Sequence, residues 1–493
     1  MTLADLLIGV SLLTPPPASA LTTDITGVAY DSRKVAPGYV FFAFPGAKVD
    51  GRQFVAQAIE NGAVAILSES EAPEGFRGVW IQVAHGRQAL ATVAGNFYDH
   101  PDRRLKLIGV TGTNGKTTTT YLIDSILRTA GLTTALIGTI EYRLAGRRLP
   151  SINTTPESLD LFQLFQELEQ AGGTHVTMET SSHALALGRV YGLQFETAVF
   201  TNLTRDHLDF HGDMVSYFDA KQLLFTSEAA MGPRFAVLNY DDKYASAVRT
   251  KPDTEVITYG MGEGAAARAQ RVTTGFDGLR FEIHYGSRTY PVESPLVGQI
   301  NVYNLLAAWC ATYSLGIGSE VIAKGIAEAQ AVPGRFERVD MAQPFLVVVD
   351  YAHTDDALRN LITIARQMTN KRVITLFGCG GDRDRNKRPL MGMAAAELSD
   401  IVVLTSDNPR SEDPLVIMND ALVGIRRFDT PHFIEPDREK AIRKAIESAG
   451  PGDVVLLAGK GHETYQVLKN KTIAFDDREV ARNVLRGFGY GKA

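Results

Sequence analysis

Leu105-Lys106-Leu107-Ile108-Gly109-Val110-Thr111-Gly112-Thr113-Asn114-Gly115-Lys116-Thr117-Thr118 is the stretch on which the fold turns. Residues 105–111 are an apolar, β-branched run, and residues 119–127 read as a helix. Between them Gly112 and Gly115 let the backbone curl so that several N–H groups face one anion. The start of the following helix adds partial positive charge at the same place. Lys116 supplies a point charge for the outer phosphates of a nucleotide, and the Thr117 hydroxyl can ligate Mg²⁺. Val110 stands where the strict G-x-x-x-x-G-K-T pattern has its first glycine, so the motif rests on its ending and its strand–loop–helix setting. Gly112, Thr113, Asn114, Gly115, Lys116, Thr117 and Thr118 are therefore the candidate phosphate-binding residues.

Outward from this loop the pattern repeats. Runs at 134–140, 175–179, 197–201, 345–350, 372–377, 401–405 and 454–458 alternate with helix-like segments, which predicts βαβ units and parallel sheets. Polar and glycine-bearing motifs follow the C-terminal ends of these runs, the edge where open α/β sheets bind ligands. His100-Pro101-Asp102 and Val332-Pro333-Gly334 punctuate the chain. The expected architecture is α/β in three domains: 1–98, a central P-loop-type domain at 99–332 with a mostly parallel sheet, and a Rossmann-like domain at 333–493.

The 493 residues are 45% hydrophobic and 22% charged, which excludes a disordered or fibrous chain. Lys and Arg number 50 against 56 Asp and Glu, a net charge of −6. No global basic field exists to hold nucleic acid, so anionic ligands must meet local clusters and backbone N–H groups. Cys310 and Cys379 are too few for a disulfide framework and fit a reducing compartment, so the cytoplasm is expected. No apolar run approaches the ~18–20 residues of a membrane span. Leu3, Leu6, Leu7 and Val10 fall on one face of a helix stopped by Pro15-Pro16-Pro17. The absence of Lys or Arg before Arg33 argues against a signal peptide.

Several further motifs carry chemistry. Glu179 closes a run and can ligate Mg²⁺ through hard oxygen, or serve as a cap or solvated side chain. The segment 201–212 gathers Asp206, His207, Asp209 and His211. Read alone, His207 favours zinc or a simple hydrogen bond, because imidazole is an unusual Mg²⁺ ligand. Lys221 alone reads as a solvated helix lysine. Asn301 and Asn304 stand at i, i+3, where amides can bond an adenine edge or cap a helix. Asp350, the charged loop 378–388, Asp407-Asn408-Pro409-Arg410 and Gly459-Lys460-Gly461-His462-Glu463 end four other runs.

In this order, over nearly the whole chain, the motifs resemble those of the Mur ligase family, ATP-dependent amide-forming enzymes of peptidoglycan synthesis. The resemblance implies that ATP converts a substrate carboxylate to an acyl phosphate, which an amine attacks through a tetrahedral intermediate. It implies catalytic roles for Lys116, Glu179, His207 and Lys221. The phosphate loop, Asn301, Asn304, Arg335 and Asp350 would then bind ATP, with Arg335 on the γ-phosphate. Mg²⁺ would be held by Thr117, Glu179, His207 and Lys221, the lysine as a CO₂-derived carbamate, an anionic oxygen ligand in place of a cation. Residues 1–98 would bind uridine through Asp31-Ser32-Arg33, Pro37-Gly38, Phe44-Pro45-Gly46 and Asp50-Gly51, with Ser32 contacting uracil. Asn153, Thr154, Thr155, Ser181 and Arg189 would hold the muramoyl dipeptide.

The resemblance also bears on the amino acid added. Members that add meso-diaminopimelate carry Asp-Asn-Pro-Arg, and lysine-adding members lack its arginine. Diaminopimelate has a second carboxylate, which Arg383 and Arg410 can meet with forked N–H pairs. Asp407, Asn408, Gly459 and Glu463 complete that set, Glu463 facing the distal ammonium. The implied partners are UDP-N-acetylmuramoyl-L-alanyl-D-glutamate, meso-diaminopimelate and ATP, with the protein a monomer. Alternatives are a lysine-adding ligase, a folylpolyglutamate synthetase-like ligase, and a nucleotide-binding regulator without ligase chemistry. Three departures from the family stand out: Asp355 replaces the usual proline, Leu187-Gly188 precede Arg189 where some relatives are polar, and no histidine occurs near 46–48.

Overall fold

The computed structural model describes residues 1–46, 50–226, 232–275, 278–329 and 332–491. Its strands form three main sheets, each built from one contiguous part of the chain. Gly27–Ala29, Tyr39–Phe42, Ala63–Ser68 and Val79–Gln82 make a four-stranded parallel sheet in sequential order. The second sheet has eleven strands. Its parallel centre places the phosphate-loop strand Lys106–Thr111 between His175–Glu179 and Phe195–Phe200, with Thr134–Ile137 and Phe235–Asn239 beyond. The third orders Leu346–Asp350, Val454–Ala458, Val373–Phe377, Ile401–Thr405 and His432–Glu435 in parallel, with Glu337–Arg338 antiparallel at one edge.

Three predicted runs, 175–179, 401–405 and 454–458, coincide with observed strands. Others are trimmed: 134–140 ends at Ile137, and 197–201 is shifted to Phe195–Phe200. The helix read at 119–127 is longer, Lys116–Thr129, because it begins on the phosphate loop itself. The amphipathic N-terminal helix is cut to one turn, Leu3–Leu6, with Gly9 in the left-handed region at φ +77°. Its apolar face is still used, since Leu3, Leu6 and Leu7 are buried. Unforeseen antiparallel arms extend the central sheet at both ends, Ala267–Gly275, Gly278–Tyr285 and Arg288–Ser294 on one side and Glu141–Leu144 with Arg147–Pro150 on the other.

The central strand divides its side chains between two cores. Ile108 and Val110 pack with Leu122, Ile126, Val302 and Leu306. Leu107 faces a core shared with the first sheet, in which Leu90, Val93, Phe162 and Phe165 lie together. Apolar burial of this kind contributes about 25 cal/mol per Å² removed from water, so the first sheet is anchored to the middle one by a continuous apolar core. No described helix is long and apolar enough to cross a membrane. Cys310 and Cys379 are buried and unpaired.

Candidate active site

Three adjacent parallel strands end at one place, and their next residues make the first half of the site. Gly112 lies at φ +145°, and a Cβ there would overlap the Thr201 hydroxyl; Gly115 lies at φ +86°, close against Asn304. Only glycine fits both positions. Asn202, from the neighbouring strand end, fastens the loop: its Oδ1 accepts from Asn114 N at 2.9 Å and its Nδ2 donates to Asn114 O at 3.1 Å. Lys116 Nζ donates to the carbonyls of Gly112 at 3.0 Å and Thr113 at 2.8 Å. Burial lowers its pKa, opposed by the field of Glu179.

Lys221 is not a solvated lysine. Its side chain is buried, Nζ donates to Gly112 O at 2.8 Å, and the ammonium stands 4.4 Å above the Tyr217 ring. Burial first, and Lys116 next, push its pKa well below the usual lysine range. Glu179 is fully buried and accepts from Thr139 N at 2.9 Å and Thr139 Oγ1 at 3.1 Å. His207 takes a left-handed backbone, φ +54°, with its ring 4.8 Å from that of His183 and Nε2 3.4 Å from the Asp206 carboxylate. Burial drives its pKa down to about 3, so the imidazole is neutral.

Among the described residues no three His, Cys, Asp or Glu side chains gather as a protein-only metal site. The donor set still fits Mg²⁺, which keeps several waters and takes one or two carboxylates plus phosphate oxygens. Glu179 and the Thr117 hydroxyl are hard oxygen donors; Lys221 becomes one only as a carbamate. The hydroxyls of Thr111 and Thr180, both at these strand ends, are buried without a protein partner.

The nucleotide side is a cavity of about 110 Å³ between the phosphate loop and the third sheet's domain. Asn114, Gly115, Thr117 and Thr118 line it from the loop, and Asn301 and Asn304 from the helix Ile300–Ser314. Asn301 donates to Val297 O at 2.7 Å and Asn304 Nδ2 to Asn301 Oδ1 at 2.9 Å, so the amides are oriented as a pair. Arg335 sits 4.9 Å above the Tyr351 ring with Nη2 3.4 Å from the Thr117 hydroxyl, and its Nε has no protein partner. Asp350 lines the same cavity while accepting from Phe336 N at 2.7 Å and Ala352 N at 2.8 Å. It therefore fixes the turn that carries Arg335, and burial raises its pKa. Thr354 caps the next helix, and Asp355 begins it. An acidic side chain in a first turn is favoured by the helix dipole, which gives this position a stable start without proline.

Next to Glu179 lies the loop 153–157, where the sequence expects the dipeptide. Thr155 Oγ1 donates to Glu179 O at 2.8 Å and accepts from Ser181 N at 3.0 Å; Thr154 and Thr139 hydroxyls are 3.1 Å apart. Asn153 is exposed, with its carbonyl held by the Tyr142 hydroxyl at 2.6 Å. Arg189 donates to Glu157 at 3.0 Å and to Thr155 O at 3.0 Å, and Arg87 shares Glu157 at 3.4 Å. Ser32 is apart from this cluster: it is buried and donates to Gln57 at 2.7 Å. The first-domain motifs Phe44-Pro45-Gly46 and Asp50-Gly51 flank 47–49, which fall outside the described residues.

The third sheet supplies the facing pocket. Asn408 Nδ2 donates to Glu463 Oε2 at 2.9 Å, and Lys460 Nζ donates to the same oxygen at 2.9 Å and to Asn408 Oδ1 at 3.3 Å. Arg410, at φ +54°, donates Nη1 to Gly381 O at 2.6 Å. Arg383 is exposed, and a Cβ on Gly380 would meet both Arg410 Nη1, at 3.0 Å, and Arg383 Cγ, at 3.9 Å. Gly459 lies at φ +114° beside Asp407, whose Oδ1 is buried without a hydrogen-bond partner and 3.7 Å from Lys460 Nζ.

Comparison with known proteins follows the same three parts. The family profile "Mur ligase family, catalytic domain" matches residues 24–98, "Mur ligase middle domain" residues 110–312, and "Mur ligase, glutamate ligase domain" residues 334–461. A protein of Solibacter usitatus is 64% identical over 99% of both chains, and one of Geobacillus thermodenitrificans is 47% identical over 94% of this chain and 95% of its own. Both are named UDP-N-acetylmuramoyl-L-alanyl-D-glutamate–2,6-diaminopimelate ligase. The chain belongs to the Mur ligase family. A solved structure described by the same enzyme name is 32% identical over 99% of both chains, with a TM-score of 0.69. A folylpolyglutamate synthase of Mycobacterium tuberculosis is 16% identical with a TM-score of 0.58, a likeness of fold alone.

In this Mur ligase the structure gathers Lys116, Glu179, His207, Lys221, Thr117 and Arg335 at one end of the central sheet. Arg383, Asp407, Asn408, Arg410, Gly459 and Glu463 collect at the facing end of the third, and Ser32 stays with the first. Sequence reading passed over Asn202, Lys460 and Asp356. Asp356 Oδ2 accepts from Asn114 at 2.9 Å and Thr204 at 3.3 Å across the cleft. Lys460 lies inside the glycine motif 459–463 and Asn202 inside the motif 201–212, both usable signals; Asp356 has none.

Proposed function

We propose that this chain joins meso-2,6-diaminopimelate to UDP-N-acetylmuramoyl-L-alanyl-D-glutamate, forming ADP and phosphate in peptidoglycan precursor synthesis. The observation that carries it is the facing of two strand-end clusters. One holds cations and a buried carboxylate suited to phosphoryl transfer; the other holds Arg410, Asn408 and Glu463, suited to a zwitterionic amino acid.

The chemistry follows from the charges. A carboxylate is a poor electrophile, and phosphorylation by ATP gives it a leaving group. Two anions must first be brought together, and Lys116, Arg335 and the N–H groups of Gly112–Thr118 neutralise that charge. Mg²⁺, when bound at Thr117 and Glu179, supplies further charge neutralisation on the phosphates. Lys221 is buried, and a buried lysine is held in the neutral, nucleophilic form. Its nitrogen can attack CO₂ and lose a proton, leaving an anionic carbamate. Neutral His207 would lie beside it. Thr155, Ser181 and Arg189 hold the dipeptide so that its terminal carboxylate reaches the phosphate loop, with Asn153 and Thr154 at the mouth and Ser32 at the uracil end. Asn301 and Asn304 take the adenine side, and Asp350 the ribose side through the Arg335 turn.

On the amino-acid side, Arg410 and Arg383 face the second carboxylate and Glu463 the distal ammonium, with Asp407, Asn408 and Gly459 shaping the pocket. Lysine lacks that carboxylate and would leave the half-buried Arg410 without the forked charge partner that diaminopimelate offers. The division of labour is 1–98 for uridine, 99–332 for ATP and 333–493 for the amino acid. The enzyme acts as a monomer in the cytoplasm, where Cys310 and Cys379 stay reduced. The test is phosphate release with ATP, Mg²⁺ and the UDP-dipeptide, comparing diaminopimelate with L-lysine. Turnover confined to diaminopimelate is expected; preference for lysine would remove the Arg410 argument, and no turnover with either would remove the ligase.

A further inference from the structure

Two buried charges play no part in the chemistry above, yet their hydrogen bonds end on the loops that build the amino-acid pocket. Arg438 opens the helix Arg438–Glu447, and Asp477 opens the helix Asp477–Gly487. Both side chains are 0% exposed. Asp477 accepts Nε of Arg438 at 2.8 Å and Nη2 at 2.6 Å, a parallel fork. The remaining donor capacity goes to main-chain carbonyls, Nη1 to Ser406 at 3.3 Å and Nη2 to Ala458 at 3.0 Å.

The position of those carbonyls is what matters. Ser406 immediately precedes Asp407, and Ala458 immediately precedes Gly459. The strands they end, Ile401–Thr405 and Val454–Ala458, are not neighbours, because Val373–Phe377 lies between them. One guanidinium thus reaches past the end of a central strand and fixes the separation of the two strands flanking it. On the ligand side the same two loops meet again, at Asn408 and Glu463, 2.9 Å apart. A change in loop separation is therefore transmitted directly to the pocket. A lysine has three donors and no planar fork, so it cannot supply the four hydrogen bonds that Arg438 makes to Asp477, Ser406 and Ala458. A buried ion pair is also a poor device for stability, since an apolar pair of similar volume often serves as well. What an apolar pair cannot do is donate to Ser406 and Ala458.

We propose that Arg438, held by Asp477, is a positioning residue of the amino-acid pocket. It sets the distance between the Asp407–Arg410 and Gly459–Glu463 loops, and with it the preference for an amino acid bearing a second carboxylate. This rests on the function proposed above.

The test uses full-length R438K, which keeps the charge and loses the fork, and the double variant R438M/D477L, which leaves no orphaned charge. KM is measured for all three substrates, together with the kcat/KM ratio of diaminopimelate to lysine, on protein shown to be folded by circular dichroism. In both variants KM for diaminopimelate should rise about 10–100-fold and the ratio should fall about 10-fold, while KM for ATP and for the UDP-dipeptide stay within about 2-fold. An unchanged KM for diaminopimelate, or a parallel rise in all three, would overturn the proposal. So would failure of both variants to fold, because the pair would then hold the domain and not the pocket. The unmutated enzyme in the same assay separates the two readings: if it does not ligate diaminopimelate, the function itself is wrong.

Discussion

Lys116 and Lys221 donate to a single carbonyl, that of Gly112. Two ammonium groups on one acceptor repel, and burial penalises both, so the arrangement favours one neutral amine. Lys221, with its pKa driven well down, is that amine. Lys221→Ala should lower kcat about 10²–10³-fold, the cost of one preorganised electrostatic group, while ATP affinity by equilibrium binding changes only a few-fold. Full activity in the alanine variant would remove Lys221 from the mechanism. A second residue-scale prediction concerns acid stability. His175 is paired in register with Lys106 and Thr134 and hydrogen-bonds the Thr174 hydroxyl at 2.7 Å. Burial first, and Lys106 next, lower its pKa from 6.5 to about 4. The unfolded chain takes up a proton below pH 6.5 that the native state refuses. This stability is complete above that pH and drains away as pH falls towards 4. Between pH 7 and pH 5 the loss should be about 1–2 kcal/mol, held below the full shift by solvent screening. Urea midpoints at the two pH values should converge in His175→Gln relative to the parent protein; equal slopes would show that His175 does not titrate on unfolding.

At the scale of elements, the phosphate-loop helix Lys116–Thr129 is braced by the helix Ser319–Ala327. A Cβ on Gly325 would stand 2.6 Å from the Ile126 Cα, and the Gly325 carbonyl accepts from Ser125 Oγ at 2.9 Å. Gly325→Ala should push the two helices apart at a cost of about 1–3 kcal/mol. Thermal melting should fall by several degrees and KM for ATP should rise; an unchanged melting temperature would mean the helices tolerate the methyl. Elements of this kind differ in how far sequence exposes them. Strands such as Val454–Ala458 and Ile401–Thr405 were legible because a parallel strand covered on both faces is a continuous apolar run. Ala267–Gly275 and Gly278–Tyr285 were not, because they are half exposed and antiparallel, with no such run to mark them. The one-turn N-terminal helix shows the converse: its periodicity was real, but docking of Leu3 and Leu6 needs only the first turn. At the candidate site, Lys116, Glu179 and Arg410 stand out in the sequence because each ends or follows an apolar run, and the structure places each at or just beyond a strand end. Asn202 and Asp356 act through contacts with Asn114, far from both in sequence, and no local pattern encodes that partner.

For the whole molecule, function depends on the middle and third domains meeting over the cleft. Their contacts are polar and specific: Asp356 with Asn114 and Thr204, Arg205 with Asp384 at 3.3 Å, and Asp206 within 3.9 Å of His353. The Arg205–Asp384 pair is part exposed, so salt screens it and its net worth is small, ~0–1 kcal/mol. Asp356 is different. One of its oxygens accepts from both loops of the middle domain and from Asn360 at 3.4 Å, and burial raises its pKa. Hydrogen bonds to a charged group contribute about 1.5–3 kcal/mol net, enough to decide a two-state closure when the rest of the seam is weak. Its position also matters, because Asn114 belongs to the phosphate loop and Asp356 to the first turn of the helix that follows Thr354. Closure is therefore read at the glycine loop 112–118, the proposed ATP-binding loop. Asp356→Ala should leave each domain folded and lower kcat at least about tenfold. With a non-hydrolysable ATP analogue bound, small-angle scattering should give a larger radius of gyration than the parent protein shows, and added salt should not reproduce the effect. If the variant matches the parent in both scattering and turnover, closure is held by the apolar walls of the nucleotide cavity, with Ile364, Leu361 and Leu296 as the residues that hold it.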